Sequence, residues 1–330
     1  MSIYISEVLP APEEVQPAVR ATLLNLLTAT MLAVDEIPAL SPEQRDAWLR
    51  RIGIDTAPPP TLDALNTLVA AHLAHIPFEN LTPLVGWPVA IDLPAVFDKL
   101  VQQERGGYCF ELNTLCCAGL KSLGFAVVPL AARVRWNVPE GRPTGLSHML
   151  LRVEVAHQSY IADVGFGGPT PDRALPLSEP TGPDSPYRLL PAPGATHGTA
   201  FHSYALAVRN PDAPIADADD ADTWRVMYRF DLTPQPQIDF VARNWYVSTH
   251  PDSHFTQMLV AARTEANGAR LSLGNGNLTE RAPDGTVHKT ALTSAGDVIG
   301  LLTHRFGIRL DDDLRGALAA RLPTVLASGS

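Results

Sequence analysis

The sequence has little cysteine: three residues in 330, an odd number, with two of them adjacent at 116 and 117. A secreted domain stapled by disulfides needs paired cysteines, so these thiols fit a reducing compartment instead. No CxxC pattern is present and adjacent cysteines chelate poorly, so no metal site is expected. Charge is sparse as well, at 18% against a typical ~25%. The formal net charge is −10, with no basic run and no interleaving of aromatic and basic residues, which excludes a nucleic-acid-binding surface. Long apolar runs are also missing. The segment to test, residues 21–34 (ATLLNLLTATMLAV), is too short to cross a bilayer and carries Asn25 and three threonines. It follows Glu7, Glu13 and Glu14, with Arg20 the sole basic residue upstream, whereas a signal peptide needs a basic leader. The expectation is a cytoplasmic protein that engages neither membrane nor nucleic acid.

What is present is ample core material, 45% hydrophobic residues, punctuated by 30 prolines that predict long ordered loops. Residues 1–40 read as an N-terminal extension, helical between about Pro17 and Val34. Ser41-Pro42 has the form of an N-cap followed by proline at the first helical position, opening a helix to about Ile52. Thr61 opens another, with Leu62, Leu65, Leu68, Val69 and Leu73 on one face, and a third spans roughly Leu93 to Gln102. From Phe125 the period shortens. Strands are expected over Phe125–Val134, His148–Val155 and Ser159–Phe166, the last two as a hairpin, then Phe201–Val208 and Trp224–Leu232 around an acidic loop, 212–222. Between them, Pro and Gly crowd 167–198, which reads as a long loop or short edge strands. A helix over Ser253–Ala262, strands over Leu271–Leu278 and Val287–Leu292 joined at Asp284-Gly285, and helices over Asp297–Phe306 and Asp311–Leu322 complete the chain.

The stretch that carries chemistry is Arg105-Gly106-Gly107-Tyr108-Cys109-Phe110-Glu111-Leu112-Asn113. Two glycines free the backbone to bend. Leu112, Leu115, Cys116, Leu120 and Leu123 then recur at helical spacing, with Gly124 where a C-cap belongs. Cys109 therefore falls at a helix start, where unpaired N–H groups and the positive end of the macrodipole favour a thiolate over the free thiol with its pKa near ~8.5. Cys116 and Cys117 lie further along the apolar face and read as buried structural thiols. A thiolate needs a base, and the base an orienting acceptor. In the expected hairpin, His148 and Asp163 share a face for an even-length turn, as opposite or diagonal neighbours at some registers.

The motifs IPFEN at 76–80, RGGYCFELN at 105–113, SHMLL at 147–151, DVGFGG at 163–168 and NWYVSTHPDS at 244–253, in this order, closely resemble the arylamine N-acetyltransferase family. The resemblance covers roughly residues 41–330. It implies an α+β multidomain fold with a cysteine-protease-like Cys-His-Asp arrangement: a helical domain (41–124) with the nucleophile, an antiparallel β-barrel (125–235) with His and Asp, and a C-terminal α/β lid domain (236–330). It further implies Cys109 as nucleophile, His148 as base and Asp163 as orienting carboxylate. Arg105 paired with Glu79 would brace the nucleophile's turn, and Phe78, Val134, Ser147, Gly165 and Phe166 would line the acceptor and CoA cleft. The implied activity is ping-pong acetyl transfer from the co-substrate acetyl-CoA to arylamines, arylhydrazines or N-hydroxyarylamines, with a place in xenobiotic metabolism. Arg133, Arg135 and Arg243 are candidates for the CoA phosphates, and nothing in the sequence selects among them. Two other readings share the triad: an ansamycin-type amide synthase, which takes its acyl chain from a carrier protein, and a thiol peptidase.

Overall fold

The computed structural model describes residues 36–178, 181–182, 185–191, 204–209 and 224–327. The helix expected over 17–34 and the acidic loop 212–222 lie outside them. The helical start signals act as expected. The Ser41 hydroxyl accepts the Gln44 N–H at 3.2 Å while the Gln44 side chain accepts the Ser41 N–H at 3.1 Å, a reciprocal box that opens α1 (Pro42–Arg51). Thr61 caps α2 (Leu62–His75). Pro77 ends helical geometry, and a two-residue strand β1 (Phe78–Glu79) leads to α3 (Leu81–Leu84). Capped by Asp92, α4 (Leu93–Phe97) runs into a π-helical turn, Asp98–Gln102. Then comes α5 (Cys109–Ser122), buried along nearly its whole length and closed by Gly124 at φ +89°.

Two antiparallel sheets follow. In the first, β2 (Ala126–Val134), β3 (Leu146–Val155), β4 (Gln158–Ala162), β5 (Leu175–Pro176), β6 (Tyr187–Pro191), β7 (Tyr204–Arg209) and β8 (Trp224–Phe230) lie in the order β5-β4-β3-β2-β8-β7-β6. One face gathers Leu130, Leu150, Ile161, Leu175, Tyr187, Leu206 and Tyr228 into a single core. Those seven residues come one from each strand, so the sheet curls until it is nearly a closed barrel. The opposite face, through Ala131, Met149, Leu151 and Ala162, packs with α5 in the largest core. Alternation along each strand thus places α5 outside the barrel, against β3 and β2.

After α6 (Gln237–Thr249) and the single turn α7 (His254–Gln257), the second sheet assembles. It comprises β9 (Val260–Thr264), β10 (Arg270–Gly274), β11 (Asn277–Arg281) and β12 (Val287–Ala291), with β1 added on the β9 edge. Its inner residues Leu271, Leu273 and Leu278 pack with Val298 and Leu302 of α8 (Ala295–His304) and Leu314, Leu318 and Leu322 of α9 (Asp312–Ala327).

Two expectations fail here and one helix was not expected, each for a physical reason. The helix expected over Ser253–Ala262 stops after one turn, because Ala261 and Ala262 pair with β10 and β1, and pairing outweighs alanine's helical preference. The strand expected over Leu271–Leu278 is two strands, folded back at Asn275-Gly276 with Asn275 at φ +51°. Helix α6 went unpredicted: its buried face mixes Phe240 and Val247 with Asn244 and Ser248, while Ile238 and Trp245 are exposed.

Candidate active site

Cys109 is the first residue of α5, and its approach is fixed by contact rather than by unusual backbone angles. Neither Gly106 nor Gly107 takes a positive φ. A Cβ on Gly106 would sit 2.3 Å from the Pro77 carbonyl oxygen, and one on Gly107 would sit 2.7 Å from Glu111 Oε2. Glycine is needed there for closeness, a correction to the expectation that it supplies bending. The Gly107 N–H donates to the Pro77 carbonyl and the Glu79 N–H to the Gly107 carbonyl, so β1 holds the turn.

Two ion pairs, each with a buried carboxylate, brace it. Arg105 donates from Nε and Nη2 to Glu79 Oε1 at 3.1 and 2.6 Å, while Glu79 Oε2 accepts the Leu81 N–H at 2.6 Å. Burial opposes the Glu79 charge, but Arg105, with Lys99 behind it, holds its carboxyl below the usual range. The expected pairing is therefore present and buried. The second pair was unexpected: Lys99, on the π-helical turn, donates to Glu111 Oε1 at 2.6 Å, and Glu111 Oε2 accepts the Tyr108 N–H at 3.1 Å.

From the barrel side, β3 and β4 meet at the two-residue turn Ala156-His157, both at positive φ, with Leu151 opposite Ala162. One step further in this register places Asp163 opposite Leu150, diagonal to His148 on the same face. His148 Nε2 and Asp163 Oδ2 lie 2.7 Å apart, both residues buried. Asp163 Oδ1 accepts the Gly165 N–H at 2.8 Å and Asn113 Nδ2 at 3.0 Å. Burial opposes a charge on His148, but the Asp163 carboxylate and the neighbouring Cys109 thiol outweigh it and push its pKa up to about 10. With Nε2 committed to Asp163, Nδ1 is the ring nitrogen left for the sulfur, which lies 3.7 Å from the Ser147 carbonyl oxygen. Tyr228 of β8 lies against the imidazole, centroids 4.9 Å apart, and Phe166 meets it edge-on at 5.5 Å.

The remaining expected positions sort by contact. Gly165 is a point of closest approach, since a Cβ there would lie 2.7 Å from both Cys109 Cα and Asn113 Nδ2. Phe78 is buried against Phe255 and beneath Gly167. Val134, half-buried at the end of β2, pairs with Tyr228, and Ser147 and Phe166 are half-buried beside His148. Of the phosphate candidates, Arg133 donates to the Thr144 carbonyl, Arg135 to the Arg142 and Pro139 carbonyls, and Arg243 to Gln235. His250 and His254 are four apart but straddle the break between α6 and α7. Among the described residues no three His, Cys, Asp or Glu side chains gather to hold a metal. A crevice of about 590 Å³ between α3, α6 and α9, lined by Leu84, Ser248, Ala317 and Arg321, does not reach Cys109. Burial pushes the Cys116 thiol up and the Cys117 thiol up to about 12, as befits structural thiols.

Sequence reasoning passed over Lys99, Asn113 and Tyr228. Asn113 carried a signal: it lies one helical turn after Cys109 on the same face, and there it joins the Met149 carbonyl, Asp163 and the Val164 N–H.

A thiol at a helix N-terminus beside a buried imidazole–carboxylate pair is the arrangement of enzymes that pass an acyl group through cysteine. The chain matches the N-acetyltransferase family model over residues 61–315. It is 40% identical over 284 residues, 84% of this chain and 97% of the relative, to the arylamine N-acetyltransferase of Mycolicibacterium smegmatis. The solved structure of the Mycobacterium marinum arylamine N-acetyltransferase superposes with a TM-score of 0.75 at 38% identity, covering 86% of this chain and 99% of that one. The structure of the same enzyme in complex with CoA superposes with a TM-score of 0.73 at 38% identity, covering 84% and 98%. The chain belongs to the arylamine N-acetyltransferase family.

Proposed function

We propose that the protein is an arylamine N-acetyltransferase whose Cys109 carries acetyl from acetyl-CoA to an arylamine, arylhydrazine or N-hydroxyarylamine by a ping-pong route. The observation that carries this is the placement of Cys109 at the first turn of α5 against the buried His148–Asp163 pair. At neutral pH His148 is an imidazolium held by Asp163, the counter-ion a thiolate needs. The thiolate attacks the thioester carbonyl, the carbon–sulfur bond to CoA breaks, and the departing CoA sulfur takes the imidazolium proton. His148, now neutral, accepts the proton of the amine as it attacks the acetyl-cysteine, and the thiolate and imidazolium are restored. The N–H of Cys109, at the start of α5 where helical N–H groups lack intrahelical partners, is the donor offered to the developing oxyanion.

On this reading residues 41–124 supply the nucleophile, 125–235 the base and its carboxylate, and 236–330 the cover over the cleft. The three free thiols support a cytoplasmic setting. Ping-pong transfer requires that isotopically labelled CoA exchange into acetyl-CoA with no amine present. Exchange abolished in Cys109→Ala is the expected result. Its absence in the unaltered protein, alongside acetylation of an added arylamine, would mean direct transfer and overturn the covalent route.

A further inference from the structure

The turn that presents Cys109 holds four charges, two of each sign. Glu79 on β1 is matched by Arg105, and Glu111 on α5 by Lys99, and both carboxylates are fully buried. Glu111 occupies the third helical position of α5, two residues from Cys109, and performs a structural task by accepting the Tyr108 N–H. Gly107 is shaped to admit it, since any side chain there would strike its carboxylate. Uncompensated, that carboxylate would oppose the positive end of the helix at the residue where a thiolate must form. Lys99 meets it at 2.6 Å from a π-helical turn whose backbone is also tied to the site, the Lys99 carbonyl accepting the Arg105 N–H at 3.0 Å. π-Helical turns are rare and recur at functional sites.

We propose that Lys99 is a positioning residue for Cys109: its ammonium cancels the Glu111 carboxylate, so that Glu111 anchors the helix start without setting a negative field against the nucleophile. The other charged and titratable groups around the Cys109 turn balance among themselves. His148 on β3 is matched by Asp163 after β4, Arg105 by Glu79, and Tyr108 and Tyr228 remain neutral because burial drives both hydroxyls well above their ordinary range. Lys99 thus decides whether the nucleophile ionises in a neutral or an anionic surrounding.

The proposal rests on Cys109 being the nucleophile, but its test reads the thiol and not acetyl transfer. The rate of Cys109 alkylation by iodoacetamide would be followed by intact mass across pH, with Cys109→Ala as the blank. Glu111→Gln, which leaves Lys99 unopposed, should move the profile to lower pH and raise the rate near pH 6 several-fold. Lys99→Met should move it to higher pH and lower the rate several-fold above the pH at which Glu111, its carboxyl already pushed up by burial, ionises without its partner. The double variant should return to within about twofold of the unaltered protein, because it restores neutrality. Lys99→Arg, which keeps the charge, should keep the profile even if Lys99→Met folds poorly. Two single variants moving in the same direction, or a double variant showing their summed loss, would mean that the pair only props the fold and would overturn the proposal. Failure to form an acetyl-enzyme in the unaltered protein, with the opposite shifts intact, would instead count against the transferase reading alone.

Discussion

At the scale of single residues, the site is governed by what burial does to charge. Glu79 and Arg105 are both inside, so neither can lose its partner cheaply. Glu79→Gln leaves a buried guanidinium without a counter-charge and should destabilise the protein by about 3–5 kcal/mol, measured by urea denaturation. A loss under about 1 kcal/mol would show that Arg105 escapes to solvent. Two histidines make the opposite point about pH. His72 is fully buried, has no hydrogen-bond partner for either ring nitrogen among the described residues, and has its pKa lowered to about 3 by burial and the nearby Arg51. The unfolded chain binds that proton near 6.5 and the folded one does not, so His72 costs stability as pH falls from about 6.5 toward 3. His148 runs the other way: its stabilisation is full below 6.5 and is lost as pH rises through about 10. His72→Leu should therefore flatten the acid side of a plot of melting temperature against pH, leaving the alkaline side unchanged. An acid limb as steep as before would show that His72 is protonated in the folded state. Cys109 and its glycine-preceded turn were legible in the sequence because helix-start chemistry is local. Glu111 and Lys99 were not, because their partnership depends on a π-helical turn that no hydrophobic period announces.

Among elements, local signals were reliable where the element makes its own hydrogen bonds and unreliable where a distant strand supplies them. Ser41, Thr61 and Gly124 cap their helices as the sequence predicts. The β3–β4 hairpin was legible too, and its register decides that His148 and Asp163 meet. By contrast, β9 draws partners from β10 and from β1, some 180 residues away in the chain, which no window around Val260 can reveal. The Asn275-Gly276 turn was readable and was missed, because the apolar run on both sides looked like one strand. Gly276 is required there by contact, as its added Cβ would lie 2.3 Å from the Leu292 carbonyl oxygen. Gly276→Ala should lower the melting temperature by several degrees, equivalent to about 1–3 kcal/mol, and leave acetyl transfer per folded molecule intact, since the hairpin lies in the second sheet. Loss of activity without loss of stability would contradict that separation.

In the whole molecule, the site exists because the chain crosses its own boundaries. The largest core joins residues from Ile37 to Ala262, taking in the helices, the outer face of the barrel and α6. The second sheet borrows β1 from the helical region, and Asn80 Nδ2 ties that same segment to the Phe255 and Met258 carbonyls. The Tyr108 hydroxyl in turn donates to Asn244 of α6. The Cys109 turn is thus gripped by the helices before it, by the second sheet and by α6, and the barrel brings His148 and Asp163 to it. The most direct test is to incubate the protein with acetyl-CoA, without an amine, and record its intact mass beside Cys109→Ala. The account predicts one added acetyl group, absent from the variant and discharged by an arylamine or a hydrazine. No adduct on a Cys109 that still alkylates readily would contradict it and turn attention to carrier-bound acyl chains or peptides.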